Sequence, residues 1–272
     1  MKEHKHMLHR SRILSIFLSA LLLSLAISLR LEVSPASVKA QSQALLVGAA
    51  ASLQDVFEEI NSRFEAINPS ARIRYNFAAS GALQRQIEQG APIDLFISAA
   101  VRPMNSLEER GLLLQGTRRN LLSNRLALIV PKNAAVKIDG FMQLADPRIK
   151  RIAIGEPRSV PAGQYAEEVL GNLGILEKIR PKLVFSNSVR GVLASVANGN
   201  ADAGIVYTTD AKISKQVIQV AIASERLHTP IVYPIAVIAS SKNKEGALTY
   251  ANFLSGNEAK RIFQRYGFSF PK

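Results

Sequence analysis

Four times along this chain a short apolar strand runs through a few small residues into a helix, beginning at Ser52, Ser80, Ala162 and Val189. Strands that alternate with helices in this way call for open α/β sheets. The first turn of each helix carries backbone N–H groups without intrahelical acceptors and the positive end of the helix dipole. Several such starts at the carboxyl ends of strands form sockets for an anion, so binding of a bare oxyanion is the first expectation.

The units fall into two runs. In the first, LLVGAA (45–50) reads as a buried strand, and Ser52 as a helix N-cap with Asp55 three positions on, a variant of the capping box. The helix shows an apolar stripe of Leu53, Val56, Phe57, Ile60, Phe64 and Ile67 before Pro69 stops it. RIRYNF (72–77) is the next strand, Ser80 caps a helix closed by Gly90, and IDLFIS (93–98) is a third strand. A helix over 103–110 ends at Gly111, and LALIVP (126–131) is a strand stopped by Pro131.

The second run begins at IAIG (152–155) and enters a helix through Val160-Pro161-Ala162-Gly163, where a first-turn proline is tolerated. KLVFS (182–186) is a strand, Ser188 caps the helix starting at Val189, and Asn198-Gly199-Asn200 ends it. AGIVY (203–207), VYPIAVIA (232–239) and a helix from Lys244 to Tyr266, breaking near Gly256, complete the pattern. The strands near 126–131 and 232–239 are placed to cross between the runs. The expectation is two α/β lobes with central sheets joined by a two-strand hinge: 44–125 plus 230–272, and 126–229.

Residues 1–40 read as a signal peptide. Lys2, Lys5, Arg10 and Arg12 precede an apolar run from Ile13 to Leu29, and Val38-Lys39-Ala40 predicts cleavage after Ala40 and a periplasmic protein. The apolar run reaches the lower limit of a membrane span, so an uncleaved anchor is the alternative. The chain contains no cysteine, which removes lipid attachment through a thiol, disulfides and thiolate metal sites together. With the leader's six Lys/Arg and two acidic residues set aside, the totals of 34 and 21 fall to 28 and 19, a net charge of +9. These charges are scattered and lack any nucleic-acid-binding signature, so no nucleic acid is expected. A positive field instead speeds encounter with a small anion.

Catalysis has few resources. Beyond the leader His228 stands alone, and neither Ser52 nor Ser80 sits in G-x-S-x-G, which disfavours a serine hydrolase and leaves a surface histidine. No P-loop or G-x-G-x-x-G cradles a cofactor. Asp94, Asp202 and Asp210 are too dispersed for a hard-cation site, and Asp210 reads as the cap of a helix starting at Ala211. The chain is therefore expected not to be an enzyme and to need no cofactor. Tyr207, ending a strand on the socket side, offers either core packing or one more hydroxyl donor.

GAAASL (48–53), FAASGALQRQIEQGAPIDLFISA (77–99), NRLALIVP (124–131), IAIGEPRSVPAGQYAEEVL (152–170), SVRGVL (188–193), ADAGIVYTTDA (201–211) and RIFQRYGF (261–268) resemble the periplasmic molybdate-binding proteins of ABC transporters. The resemblance implies a type II periplasmic binding fold that closes on a tetrahedral oxyanion, molybdate or tungstate. It places ligand contacts at Ser52 and Ser80 (hydroxyl and backbone donors), Ala162 and Val189 (backbone N–H) and Tyr207 (hydroxyl). Molybdenum would be bound only as the oxyanion, through those residues. The implied partner is an inner-membrane permease, the expected state a monomer. Gly81 stands where relatives often have Ser, and Thr208-Thr209 where Ser is frequent; Arg158 and Arg190 flank two sockets and could face the ligand or turn away. A receptor for sulfate or phosphate, a sensor, and an exported serine hydrolase are the alternative readings.

Overall fold

The computed structural model describes residues 44–271; the expected signal peptide and its cleavage point lie outside them. Two five-stranded mixed sheets organise the chain. The first contains β1 (Leu45–Ala50), β2 (Ile73–Ala78), β3 (Leu95–Ile97), β4 (Arg119–Ser123) and β10 (Val232–Val237), in the order β2-β1-β3-β10-β4. The second contains β5 (Leu126–Pro131), β6 (Ile152–Gly155), β7 (Leu183–Ser186), β8 (Ala203–Tyr207) and β9 (Val217–Ile222), in the order β7-β6-β8-β5-β9.

The two sheets repeat one plan. Three parallel strands (β2, β1, β3, with Val47 opposite both Tyr75 and Leu95; β7, β6, β8, with Ala153 opposite Val184 and Gly204) are followed by an antiparallel strand. That strand arrives from the other half of the chain: β10 pairs Ala236 with Phe96, and β5 pairs Leu128 with Ile205. The two crossings, at 124–125 and 223–231, are bonded to their surroundings and to each other. Asn124 N–H donates to the Ile231 carbonyl at 3.3 Å, and Ala223 N–H to the Leu126 carbonyl at 2.9 Å.

Helices cover these sheets with their apolar faces: α1 (Gln54–Ile67), α2 (Ser80–Glu88), α3 (Val101–Glu109), α4 (Pro161–Asn172), α5 (Leu176–Ile179), α6 (Val189–Ala197), α7 (Thr208–Ile213), α8 (Lys244–Leu254) and α9 (Asn257–Tyr266). The α1 stripe buries Val56, Phe57, Ile60 and Phe64, each burial stabilising by about 1.5–3 kcal/mol. Ile67, expected in that stripe, is 61% exposed because the helix ends there and turns away from the core. The long C-terminal helix is broken as expected, Gly256 preceding α9.

Local expectations are corrected at several points. Ser52 lies inside a 3₁₀ turn, Ala51–Leu53, entered from Ala50, and Ser80 is the first residue of α2, entered from Ala79. Neither serine caps its helix, because the chain turns helical one or two residues earlier than the polar side chains suggest. Ser188 does cap α6, accepting from Gly191 N–H at 3.1 Å. Asp210 sits within the first turn of α7, which begins at Thr208, and accepts the Tyr207 N–H at 3.3 Å. His228, expected at the surface, is only 9% exposed; it packs against the Tyr165 ring, its Nδ1 2.7 Å from the Thr229 carbonyl.

Candidate anion site between the sheets

Ser52, Ser80, Ala162, Val189 and Tyr207 all line one cavity, whose space, mouth included, is about 210 Å³. The remaining wall is Ala50, Ala51, Ala78, Ala79, Ala99, Val160 and Pro161, so among the described residues no charged side chain lines it. Each helix start follows a strand of the parallel triplets: β1 leads to Ser52, β2 to Ser80, β6 to Ala162, β7 to Val189. The first-turn amides at these positions have no intrahelical acceptor, and all four residues border the same space. Small residues are what let four backbones converge. At Gly163 an added Cβ would lie 2.0 Å from the Gly155 carbonyl oxygen, so only glycine seats the start of α4 against the end of β6 and brings Ala162 to the wall.

The hydroxyls are held by different means. Ser80 Oγ accepts the Ala99 N–H at 2.9 Å, which leaves its own proton to donate elsewhere. Ser52 Oγ shares a 3.0 Å hydrogen bond with Tyr233 Oη. Tyr207 is 1% exposed, and its hydroxyl, near that of Tyr233, is buried without a well-formed hydrogen bond among the described residues. A buried unpaired hydroxyl costs about 1–3 kcal/mol, a cost that a ligand accepting its proton would remove. Burial, with Tyr233, Tyr165 and Asp210 adding to it, pushes the Tyr207 phenol well above its ordinary pKa, so it remains a donor at neutral pH.

Both arginines turn from the cavity. The Arg158 side chain is 89% exposed and pairs with Glu156 at 3.0 Å. Arg190 is engaged on both halves: its Nε is 3.0 Å from Asp210 Oδ1, its Nη2 is 3.3 Å from the Ser52 carbonyl, and it forms an ion pair with Asp55. Asp55, read in the sequence as part of a capping box, is thus committed to an ion pair across the halves. Asp210 is fully buried, and burial pushes its carboxyl up to about 6 against the opposing pull of Arg190.

A further bridge joins the halves at Gly81, whose N–H donates to the Ser159 carbonyl at 3.0 Å. Asp94 and Asp202 are structural: Asp94 accepts from Leu46 N–H and the Ser241 hydroxyl, Asp202 from the N–H groups of Lys150 and Arg151. Asn124 and Tyr233, which surround the site without lining it, carry no signal of their roles in the sequence, and Arg190, which flanks a socket, carries none of its partners. Apart from Arg125 beside Asn124 and Asp210 beyond Arg190, their partners lie between 84 and 181 residues away along the chain, beyond the reach of any local pattern.

The chain also resembles known proteins over most of its length. Residues 45–269 match the family described as bacterial extracellular solute-binding protein. The molybdate-binding protein ModA of Escherichia coli is 39% identical over 83% of this chain and 88% of that protein. Its counterpart from Haemophilus influenzae is 37% identical over 85% of this chain and 91% of that protein. Among solved structures, the periplasmic molybdate-binding protein of Azotobacter vinelandii superposes with a TM-score of 0.76 at 26% identity, covering 84% of this chain and all of that one.

Proposed function

Because the chain belongs to the bacterial extracellular solute-binding protein family, we propose that it captures molybdate, and tungstate with it, for import by an ABC transporter. The protein is a non-catalytic, oxyanion-binding transport component. The observation that carries the molybdate reading is the convergence of Ser52, Ser80, Ala162, Val189 and Tyr207 on one uncharged cavity, with a tyrosine hydroxyl that lacks a well-formed hydrogen bond among the described residues. Those five residues are the proposed ligand set.

A dianion buried there loses several kcal/mol of hydration. Hydrogen bonds to a charged group stabilise by about 1.5–3 kcal/mol each, so a handful of hydroxyl and amide donors offsets that loss. Fixed neutral donors also select. They suit the longer bonds of molybdate or tungstate over sulfate, and they offer no acceptor to the proton of hydrogen phosphate. In this reading the lobes, 44–125 plus 230–272 and 126–229, swing about the two crossings, and a permease in the inner membrane receives the closed form. Export by a leader cleaved after Ala40 to a periplasmic, monomeric receptor completes it.

Isothermal titration with molybdate, tungstate, sulfate and phosphate tests the proposal. Tight molybdate binding is expected, and Ser52→Ala and Ser80→Ala should each lose about 1–3 kcal/mol of it. Tight sulfate binding with none to molybdate would sink the ligand; wild-type affinity in both variants would sink the site.

A further inference from the structure

Ser52 keeps its proton for the anion when Tyr233 donates to its oxygen rather than accepting from it, and a chain through two buried residues, Asn124 and Tyr233, sets that direction. Asn124, 7% exposed, sits at the first crossing between the sheets. Its Oδ1 lies 2.8 Å from the backbone N of Arg125, a group that can only donate, and 3.1 Å from the Thr208 hydroxyl. The amide orientation is fixed by that backbone contact, so Nδ2 faces the other way and must donate. It reaches Thr209 Oγ1 at 2.9 Å and Tyr233 Oη at 3.2 Å. Tyr233 Oη therefore accepts from Asn124; the Tyr207 hydroxyl lies near it without hydrogen-bonding geometry, and among the described residues Ser52 Oγ, at 3.0 Å, is the acceptor its own proton reaches. The reverse polarity would leave the buried Tyr233 proton only the poorly aligned Tyr207 hydroxyl. Burial, reinforced by the charge of Asp210, also raises the Tyr233 pKa, so that proton stays in place.

We infer that Asn124 and Tyr233 are positioning residues for the anion site: they orient hydrogen bonds from Arg125 N–H through Asn124 and Tyr233 into Ser52 Oγ, so that Ser52 presents a donor to the ligand. Ser80 receives the same treatment from a single backbone amide, that of Ala99. Both serines then face the cavity as donors, and an oxyanion that must itself donate a proton is disfavoured. The inference rests on the molybdate reading of the site and adds two residues, neither of which lines the cavity, to its specificity.

A double-mutant cycle by titration calorimetry tests it, using wild type, Ser52→Ala, Tyr233→Phe and the double variant, with sodium molybdate as probe and thermal unfolding of each ligand-free protein alongside. Tyr233→Phe keeps the ring and removes only the relaying hydroxyl. It should weaken molybdate binding about tenfold in the wild-type background and by less than about twofold when Ser52 is already alanine. Titration of wild type and Tyr233→Phe with phosphate should show the preference for molybdate narrowing in the variant. Equal losses in both backgrounds, or no loss from Tyr233→Phe in the wild type, overturn the relay. Failure of the wild type to bind molybdate, or undiminished binding by Ser52→Ala, overturns instead the site on which the relay acts.

Discussion

An alanine at position 81 would carry its Cβ to 2.8 Å from the Ser159 carbonyl oxygen and 2.9 Å from the Ser159 Cα. Both are backbone atoms of the opposite half and cannot swing aside. Restoring ordinary contact requires the halves to part locally by roughly half an ångström, which also stretches the Gly81 N–H to Ser159 bond, now 3.0 Å. Overpacking of this kind costs about 1–3 kcal/mol, here charged only to the state in which the halves touch. Molybdate affinity should therefore fall by about 5- to 150-fold although the substituted side chain does not meet the anion. The ligand-free protein should respond in the opposite sense. Gly81 lies in the first turn of α2, where alanine is compatible with the backbone and removes freedom from the unfolded chain, a gain of about 0.4–1 kcal/mol. Calorimetric titration with molybdate, paired with thermal unfolding without it, separates the two effects. Unchanged or tighter binding by Gly81→Ala would refute the argument that this contact sets how closely the halves meet.

Tyr207→Phe deletes a buried hydroxyl with no well-formed hydrogen bond among the described residues, so ligand-free stability should hold or rise, while molybdate binding weakens by about 1.5–3 kcal/mol in calorimetry. A drop in ligand-free stability with unchanged binding would contradict the assignment of that hydroxyl to the anion. Asp210 supplies a pH signature. Its carboxyl is raised from 3.8 to about 6 in the folded chain, so the folded state holds the proton where the unfolded state has lost it. The stabilising contribution is complete below about pH 4 and is lost as pH rises through 6. In urea unfolding, wild type should lose about 2–3 kcal/mol relative to Asp210→Asn between pH 4 and 7; a difference that does not vary with pH rules this out.

The sockets were legible in the sequence because each is local: apolar strand, small residues, helix start. LLVGAA, IAIG and AGIVY read directly as strands since both of their faces are covered and no polar residue interrupts them. Two strands escaped for the converse reason. β4 opens on Arg119 and Asn120, and in β9 only Val217 is fully buried; both are edge strands, whose apolar signal is weak. At the site, the lining residues could be named, but what stands behind them could not. Ser52 and Ser80 look like caps, yet their hydroxyls are used elsewhere, one by Tyr233 and one by Ala99 N–H. Arg190 reads as a cation beside a socket, and only the folded chain turns it toward Asp55 and Asp210.

The exchange of β5 and β10 between the halves governs when this chain can finish folding. In the first sheet β3 is joined to β4 only through β10, and Ile97 waits for Ile235. Until residues 232–237 are available, everything from Leu45 to Ser123 is a sheet with a gap in its middle and two unpaired strand edges facing it. Loop closure over such a separation is slow, because the entropy of joining distant segments is lost before their contacts form. Neither half is therefore an independent folding unit, and the last strand to be made commits the whole molecule at once.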